Sequence, residues 1–131
     1  MSTHQEELKL GDKLAIDRTA MAADRTLMAW TRTSMSMITF GFTIYKLLEG
    51  AAKEGMTFTA HPNGPRNLGL FLISIGTVSL GMGMIEHWRT HKALDKLPRH
   101  IFINPSFMTS GAVFLLGFFL FVSIILKMEV F

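Results

Sequence analysis

Two stretches of this chain, Leu68–Ile85 and Ile101–Leu126, contain no ionisable residue. A bilayer core about 30 Å thick requires roughly 20 apolar residues in helix, and both stretches meet that requirement. Asn104-Pro105 interrupts the second and reads as a natural turn, so that span is placed from near Ser106. A third segment, Thr33–Leu48, is shorter, about 24 Å at 1.5 Å per residue. Its one ionisable residue, Lys46, stands near its far end. Trp30 as an interfacial anchor and a snorkelling Lys46 make it long enough to span. The expectation is an all-α membrane protein with three transmembrane helices, at about 30–49, 67–88 and 106–127, forming one domain over residues 1–131. Residues 1–29 are expected to form an amphipathic cytoplasmic helix continuous with the first span.

Composition agrees with this class. The chain is 49% hydrophobic and only 18% charged, against about 25% in soluble domains. That excludes a disordered tail, a fibre and most small soluble enzymes. Cysteine is absent, which removes disulfides, thiol catalysis and thiolate metal sites. A formal charge of +3 is too mild to argue for nucleic acid. There is no nucleotide-binding loop, no Ser/His/Asp arrangement and no acidic pair suited to hydrolysis, so no enzyme is expected.

Lysine and arginine set the expected orientation. Lys9, Lys13, Arg18, Arg25 and Arg32 precede the first span, and Arg89, Lys92, Lys96 and Arg99 follow the second. The other side has only Lys46, Lys53, Arg66 and Lys127. This places the N-terminus in the cytoplasm and the C-terminus outside. The first 32 residues lack the apolar stretch of a signal peptide. The segment 50–66, with His61-Pro62-Asn63-Gly64-Pro65, reads as a short irregular external connection.

The stretch Asp17–Met37 divides into three heptads, DRTAMAA, DRTLMAW and TRTSMSM. Arg18, Arg25 and Arg32 therefore recur every seven residues, as do Met21, Met28 and Met35. Seven residues drift only about 20° around an α-helix, so the arginines share one stripe and the methionines another. Intrahelical ion pairs need a spacing of three or four, and no acid stands at those positions. Asp17 and Asp24 adjoin the arginines in sequence but point about 100° away. The arginines must find partners elsewhere: phospholipid head groups, acids of another helix or subunit, or a bound anion such as phosphate. A guanidinium fork suits phosphate oxygens. Snorkelling to lipid and an anion-binding surface shared between subunits both remain open on these residues. The methionines read as packing rather than a metal site.

Gly69, Gly76 and Gly83 repeat at heptad spacing in span two. Small residues on one stripe allow close helix approach, within one subunit or between subunits. Span three is rich in Phe, which reads as packing or lipid-facing bulk. His87 and His91 have the i, i+4 spacing of a helical metal pair, but the sequence sets no third ligand beside them, and Trp88-Arg89 reads as a membrane-interface exit turn. No metal and no other cofactor is expected. Glu86 is a candidate partner for Arg25 or Arg32, on the same side of the membrane.

Met21-Ala22-Ala23-Asp24-Arg25-Thr26-Leu27-Met28-Ala29-Trp30-Thr31-Arg32-Thr33 resembles the hallmark of the YidH family (domain of unknown function 202), with methionine in place of two leucines. Trp88-Arg89 and Lys92-Ala93…Leu97-Pro98 resemble the family's segment after span two. The resemblance covers essentially the whole chain. It implies a three-helix protein, mostly of bacterial inner membranes, with no assigned enzymatic activity. The family is related to the small subunits of the vacuolar transporter chaperone complex, an oligomer that makes polyphosphate and passes it across a membrane. There, basic residues at the start of the spans line the polyphosphate path. The matching positions here are Arg25, Arg32 and, beside them, Arg89. The soluble catalytic and sensing modules of that complex have no counterpart in this chain.

Residues and resemblance together give an expected homo-oligomer of three to five subunits in the inner membrane, in contact with lipid. It is expected to bind phosphate-type anions or polyphosphate at Arg18, Arg25, Arg32 and Arg89, and conduction of them is left open. Trp30, Gly69, Gly76, Gly83 and Glu86 would serve packing and interfaces. The alternative is a non-enzymatic assembly subunit whose arginines hold lipid or a partner's acids.

Overall fold

The computed structural model describes residues 2–56, 64–93 and 105–130, and these are all helical apart from the turn that ends the first helix. Helix α1 is Ser2–Lys53, α2 is Gly64–Ala93 and α3 is Pro105–Val130. Leu97, Pro98, Lys96, Arg99, His100, His61 and the turn around Pro62 and Asn63 lie outside the described residues. Two helices, over Arg66–Ala93 and Pro105–Lys127, are long and apolar enough to cross a membrane.

Helix α1 has 52 residues, so it is roughly 78 Å long at 1.5 Å per residue. No proline interrupts it. It ends on Gly55, whose φ of 81° is left-handed backbone that glycine adopts without steric penalty. The Gly55 amide donates to the Ala52 carbonyl at 3.2 Å and the Met56 amide to the Ala51 carbonyl at 3.1 Å. That pair of bonds is a Schellman cap, which satisfies carbonyls the helix end would leave orphaned. At the other boundary, Pro105 opens α3, where a missing amide hydrogen costs nothing.

The main seam joins α1 to α2, with α3 laid against both. Its buried apolar residues are Leu27, Ile38 and Tyr45 from α1, Ile73 and Leu80 from α2, and Ile124 from α3. Tyr45, Ile73 and Ile124 pack together, with Phe42, Leu70 and Phe121 around them. The backbones nearly touch at Gly41 and Gly69: a Cβ on either would stand 2.9 Å from the carbonyl oxygen of the other. Small residues at such a crossing let two helices pack at van der Waals contact along their backbones.

Polar side chains tie the third helix in. Thr31 and Ser110 are buried, and their hydroxyls lie 2.6 Å apart. Each also reaches its own helix's carbonyl four residues back, Leu27 and Ser106, at 2.8 Å. At the opposite end of the bundle, Lys127 of α3 donates to Glu49 of α1 at 2.6 Å, with Lys46 and Lys53 at 3.6 and 3.9 Å from the same carboxylate.

Candidate functional site

The buried residues of α1 are Ala20, Leu27, Thr31, Ser34, Ile38, Gly41 and Tyr45, a stripe at three-, four- and seven-residue spacing that meets α2 and α3. At 100° per residue, Arg18, Arg25 and Arg32 stand roughly 140–180° from Leu27. The arginine stripe therefore leaves α1 on the side away from the bundle. All three arginines are exposed, and among the described residues none forms an ion pair. Met21, Met28 and Met35 lie beside them and are exposed as well.

Within one chain, this orientation does not bring Glu86 to the arginines. Among the described residues no ion pair joins Glu86 to Arg25 or Arg32, because the seam-facing side of α1 and its arginine side are different sides. Glu86 is exposed and borders a cleft of about 200 Å³ between α1 and α2, together with Thr19, Ala23, Thr26, His87 and Thr90. Arg89 is also exposed, roughly 180° around α2 from the buried Leu80. One chain thus presents arginines outward from two helices and does not gather them into a pocket of its own.

Gly69, Gly76 and Gly83 of α2 face α1. A Cβ on Gly69 would meet Tyr45 Cβ at 2.9 Å, one on Gly76 the Ser34 carbonyl at 3.0 Å, and one on Gly83 the Trp30 ring at 2.8 Å. These three contacts are packing within one chain. Trp30 is half-buried there. Trp88 is exposed, with the Lys92 ammonium 5.3 Å from its ring centroid.

The structure also brings a third side chain, Asp24, to the His87 and His91 pair that the sequence sets one turn apart. Asp24 stands about 60° from Leu27 on α1, on the α2 side. His87 continues the heptad of buried residues Ile73 and Leu80 on α2, and His91 follows one turn later. His87 Nε2 lies 2.7 Å from Asp24 Oδ1, His91 Nε2 lies 3.1 Å from His87 Nε2, and His91 Nε2 lies 3.7 Å from Asp24 Oδ1. Only 3% of His87 and 9% of His91 is exposed, whereas a third of the Asp24 side chain stays open. His87 Nδ1 is buried without a hydrogen-bond partner. The ring of Phe107 on α3 stacks on His87 at 5.9 Å between centroids.

The sequence carried a signal for this cluster. His87 shares the heptad phase of Ile73 and Leu80, so it belongs to the buried face, and a buried imidazole demands a polar neighbour. What spacing could not supply was the third member, because Asp24 is 63 residues away and is set by the register of α1 on α2.

Among known families, residues 18–93 match the one described as Domain of unknown function (DUF202). No curated protein and no solved structure matches the chain. The match spans Asp24, both histidines and all four outward arginines.

Proposed function

The chain belongs to the DUF202 family, and on that premise we propose that it is a three-span inner-membrane protein which binds phosphate-type anions along Arg25 and Arg32. In this reading the middle of α1 is the first span, at about 30–49, and α2 and α3 supply the other two. The N-terminus is cytoplasmic and the C-terminus periplasmic. Arg18 and Arg89 extend the basic surface, and copies of the chain assemble as an oligomer of three to five subunits whose arginine stripes face one another. The protein is a binding or conducting module rather than an enzyme.

One observation carries the reading. Three arginines at heptad spacing are exposed on the face of α1 that the other described residues do not cover, and none has an acidic partner among the described residues. An arginine near a bilayer without a partner is unfavourable by about 2.5–3.5 kcal/mol or more at depth, so something outside the chain must meet it. The resemblance to the small subunits of the vacuolar transporter chaperone complex suggests what, since the matching residues there line a polyphosphate path. Planar guanidinium forks suit that chemistry.

The test is tripolyphosphate binding to purified oligomer in neutral detergent, alongside phosphate and polyphosphate flux in liposomes. Wild type should bind in a salt-dependent manner, with affinity falling at least tenfold in Arg25→Ala/Arg32→Ala. Flux should fall in the same variant. Equal binding by wild type and the double variant removes the anion site and leaves the assembly-subunit reading, in which the arginines hold lipid or a partner's acids. Because the chain has no cysteine, single cysteines in place of the exposed His4 and Met56 give an unambiguous labelling test of the orientation. They should be reachable from opposite sides of the membrane.

A further inference from the structure

We propose that Asp24, His87 and His91 form a binding site for a divalent transition metal of the zinc class, clamping α1 to α2.

The three ligand atoms are Asp24 Oδ1, His87 Nε2 and His91 Nε2, and all lie within 4.8 Å of one another. A tetrahedral zinc ion holds nitrogen and oxygen ligands at about 2.0–2.2 Å, which sets neighbouring ligands roughly 3.3 Å apart. The separations here, 2.7, 3.1 and 3.7 Å, straddle that value. The fit is therefore reached by small shifts of the three ligand atoms.

Hydrogen bonding alone does not satisfy this triangle. A neutral imidazole carries one proton. If His87 Nε2–H donates to Asp24, its proton is spent, and His91 Nε2 must either share it or bring a second N–H against it. If His87 is instead protonated on Nδ1, its Nε2 lone pair faces a carboxylate oxygen at 2.7 Å. A cation at the centre removes the conflict, since all three atoms then act as electron-pair donors toward it. One carboxylate and two neutral imidazoles leave a site of charge −1 for a dication.

The donor set selects the metal. Two imidazoles and one carboxylate oxygen suit zinc, copper, nickel, iron or cobalt, whereas magnesium and calcium take all-oxygen shells. Three protein ligands leave a fourth position for water, and the partly exposed Asp24 gives solvent a route to it. The affinity should be moderate. A metal-bound imidazole ordinarily donates its other N–H to an acceptor, worth 10–100-fold in affinity, and His87 Nδ1 has none. Two of the ligands sit on α2 one helical turn apart, and the third comes from α1 directly before Arg25. A bound ion would therefore lock the rotation of α1 that turns its arginines outward. This inference rests on the cluster alone and is independent of what the arginines bind.

The experiment uses tag-free, chelator-stripped full-length protein in detergent, titrated with Co²⁺ and Zn²⁺ chlorides. Wild type should take one Co²⁺ per chain, with the visible absorbance of a four-coordinate ion, and Zn²⁺ should displace it. Zn²⁺ should raise the melting temperature in proportion to occupancy, and Mg²⁺ should not. His91→Ala and Asp24→Asn should each lose at least tenfold in Zn²⁺ affinity, while His4→Ala should bind as wild type does. If a variant fails to fold, the Co²⁺ spectrum and stoichiometry of wild type still decide. Less than one Co²⁺ per chain at saturation overturns the proposal, as does a six-coordinate spectrum. Full Zn²⁺ affinity in folded His91→Ala and Asp24→Asn overturns it equally.

Discussion

Trp30 and Gly83 are fitted to each other: a Cβ on Gly83 would stand 2.8 Å from the indole Cγ and 3.0 Å from Trp30 Cβ. Any side chain at position 83 must push the indole, and with it α1, away from α2. Gly83→Ala is expected to destabilise the protein by about 1–3 kcal/mol through overpacking, and Gly83→Leu by more. Gly11 lies in open helix, so Gly11→Ala should stabilise by about 0.5–1 kcal/mol. Thermal melts in detergent check both. Trp30 and Trp88 are the only tryptophans, and Trp88 is exposed, so a shift in tryptophan emission in Gly83 variants reports on Trp30.

Gly41 and Gly69 present a harder contact, because each faces the other's carbonyl oxygen as well as a side-chain Cβ, that of Leu72 for Gly41 and of Tyr45 for Gly69. Backbone cannot rotate aside, so the helices have to separate. Gly41→Ala and Gly69→Ala should each lower the melting temperature more than Gly83→Ala does. Their combination should be less than additive, since the first substitution already opens the seam for the second. A double-mutant cycle measures it.

The paired hydroxyls of Thr31 and Ser110 share two protons among three contacts. One hydroxyl can donate across the helices only while the other donates to its own carbonyl. Thr31→Val removes a partner that Ser110 needs and should cost about 0.5–1.5 kcal/mol. Ser110→Ala should cost about as much, because either variant leaves the remaining hydroxyl the bond to its own carbonyl, Leu27 or Ser106. The double variant should fall short of the sum, which denaturant titration of the four proteins would show.

Arg25 and Arg32 should behave in the opposite way. Neither touches the seam, so Arg25→Ala and Arg32→Ala are expected to shift the stability of the folded chain by no more than about 0.5 kcal/mol. A larger loss in melts without added anion would mean that these arginines hold the fold together, against their placement on the outer face.

Much of the architecture was legible from the sequence. Uncharged runs around Leu80 and Phe118 mark α2 and α3, and the unbroken heptads from Asp17 to Met37 mark a continuous α1. Heptad phase also puts Gly69, Gly76 and Gly83 on one side of α2. The pairing of faces was not legible. Glu86 and Arg25 were matched by depth in the membrane, but depth leaves rotation about the helix axis undetermined. Rotation is settled by contacts such as Gly41 on Gly69, between residues 28 apart in sequence. The same contacts bring Asp24 rather than an arginine to His87. Local spacing describes a helix's stripes well, yet says little about which stripe another helix will cover.

The unusual length of α1 has a thermodynamic side. Residues 3–15 are exposed throughout, including Leu8, Leu10 and Leu14, so this arm gains no packing from the other described residues. A detached segment of that size would be marginal as a helix in water, because forming its first turn is costly while each added residue is nearly free. Here that first turn already exists inside the bundle, and the arm grows outward from it by propagation. Its order is thus on loan from the seam between Leu27 and Tyr45, and whatever loosens that seam will show first as fraying far away, near Leu8.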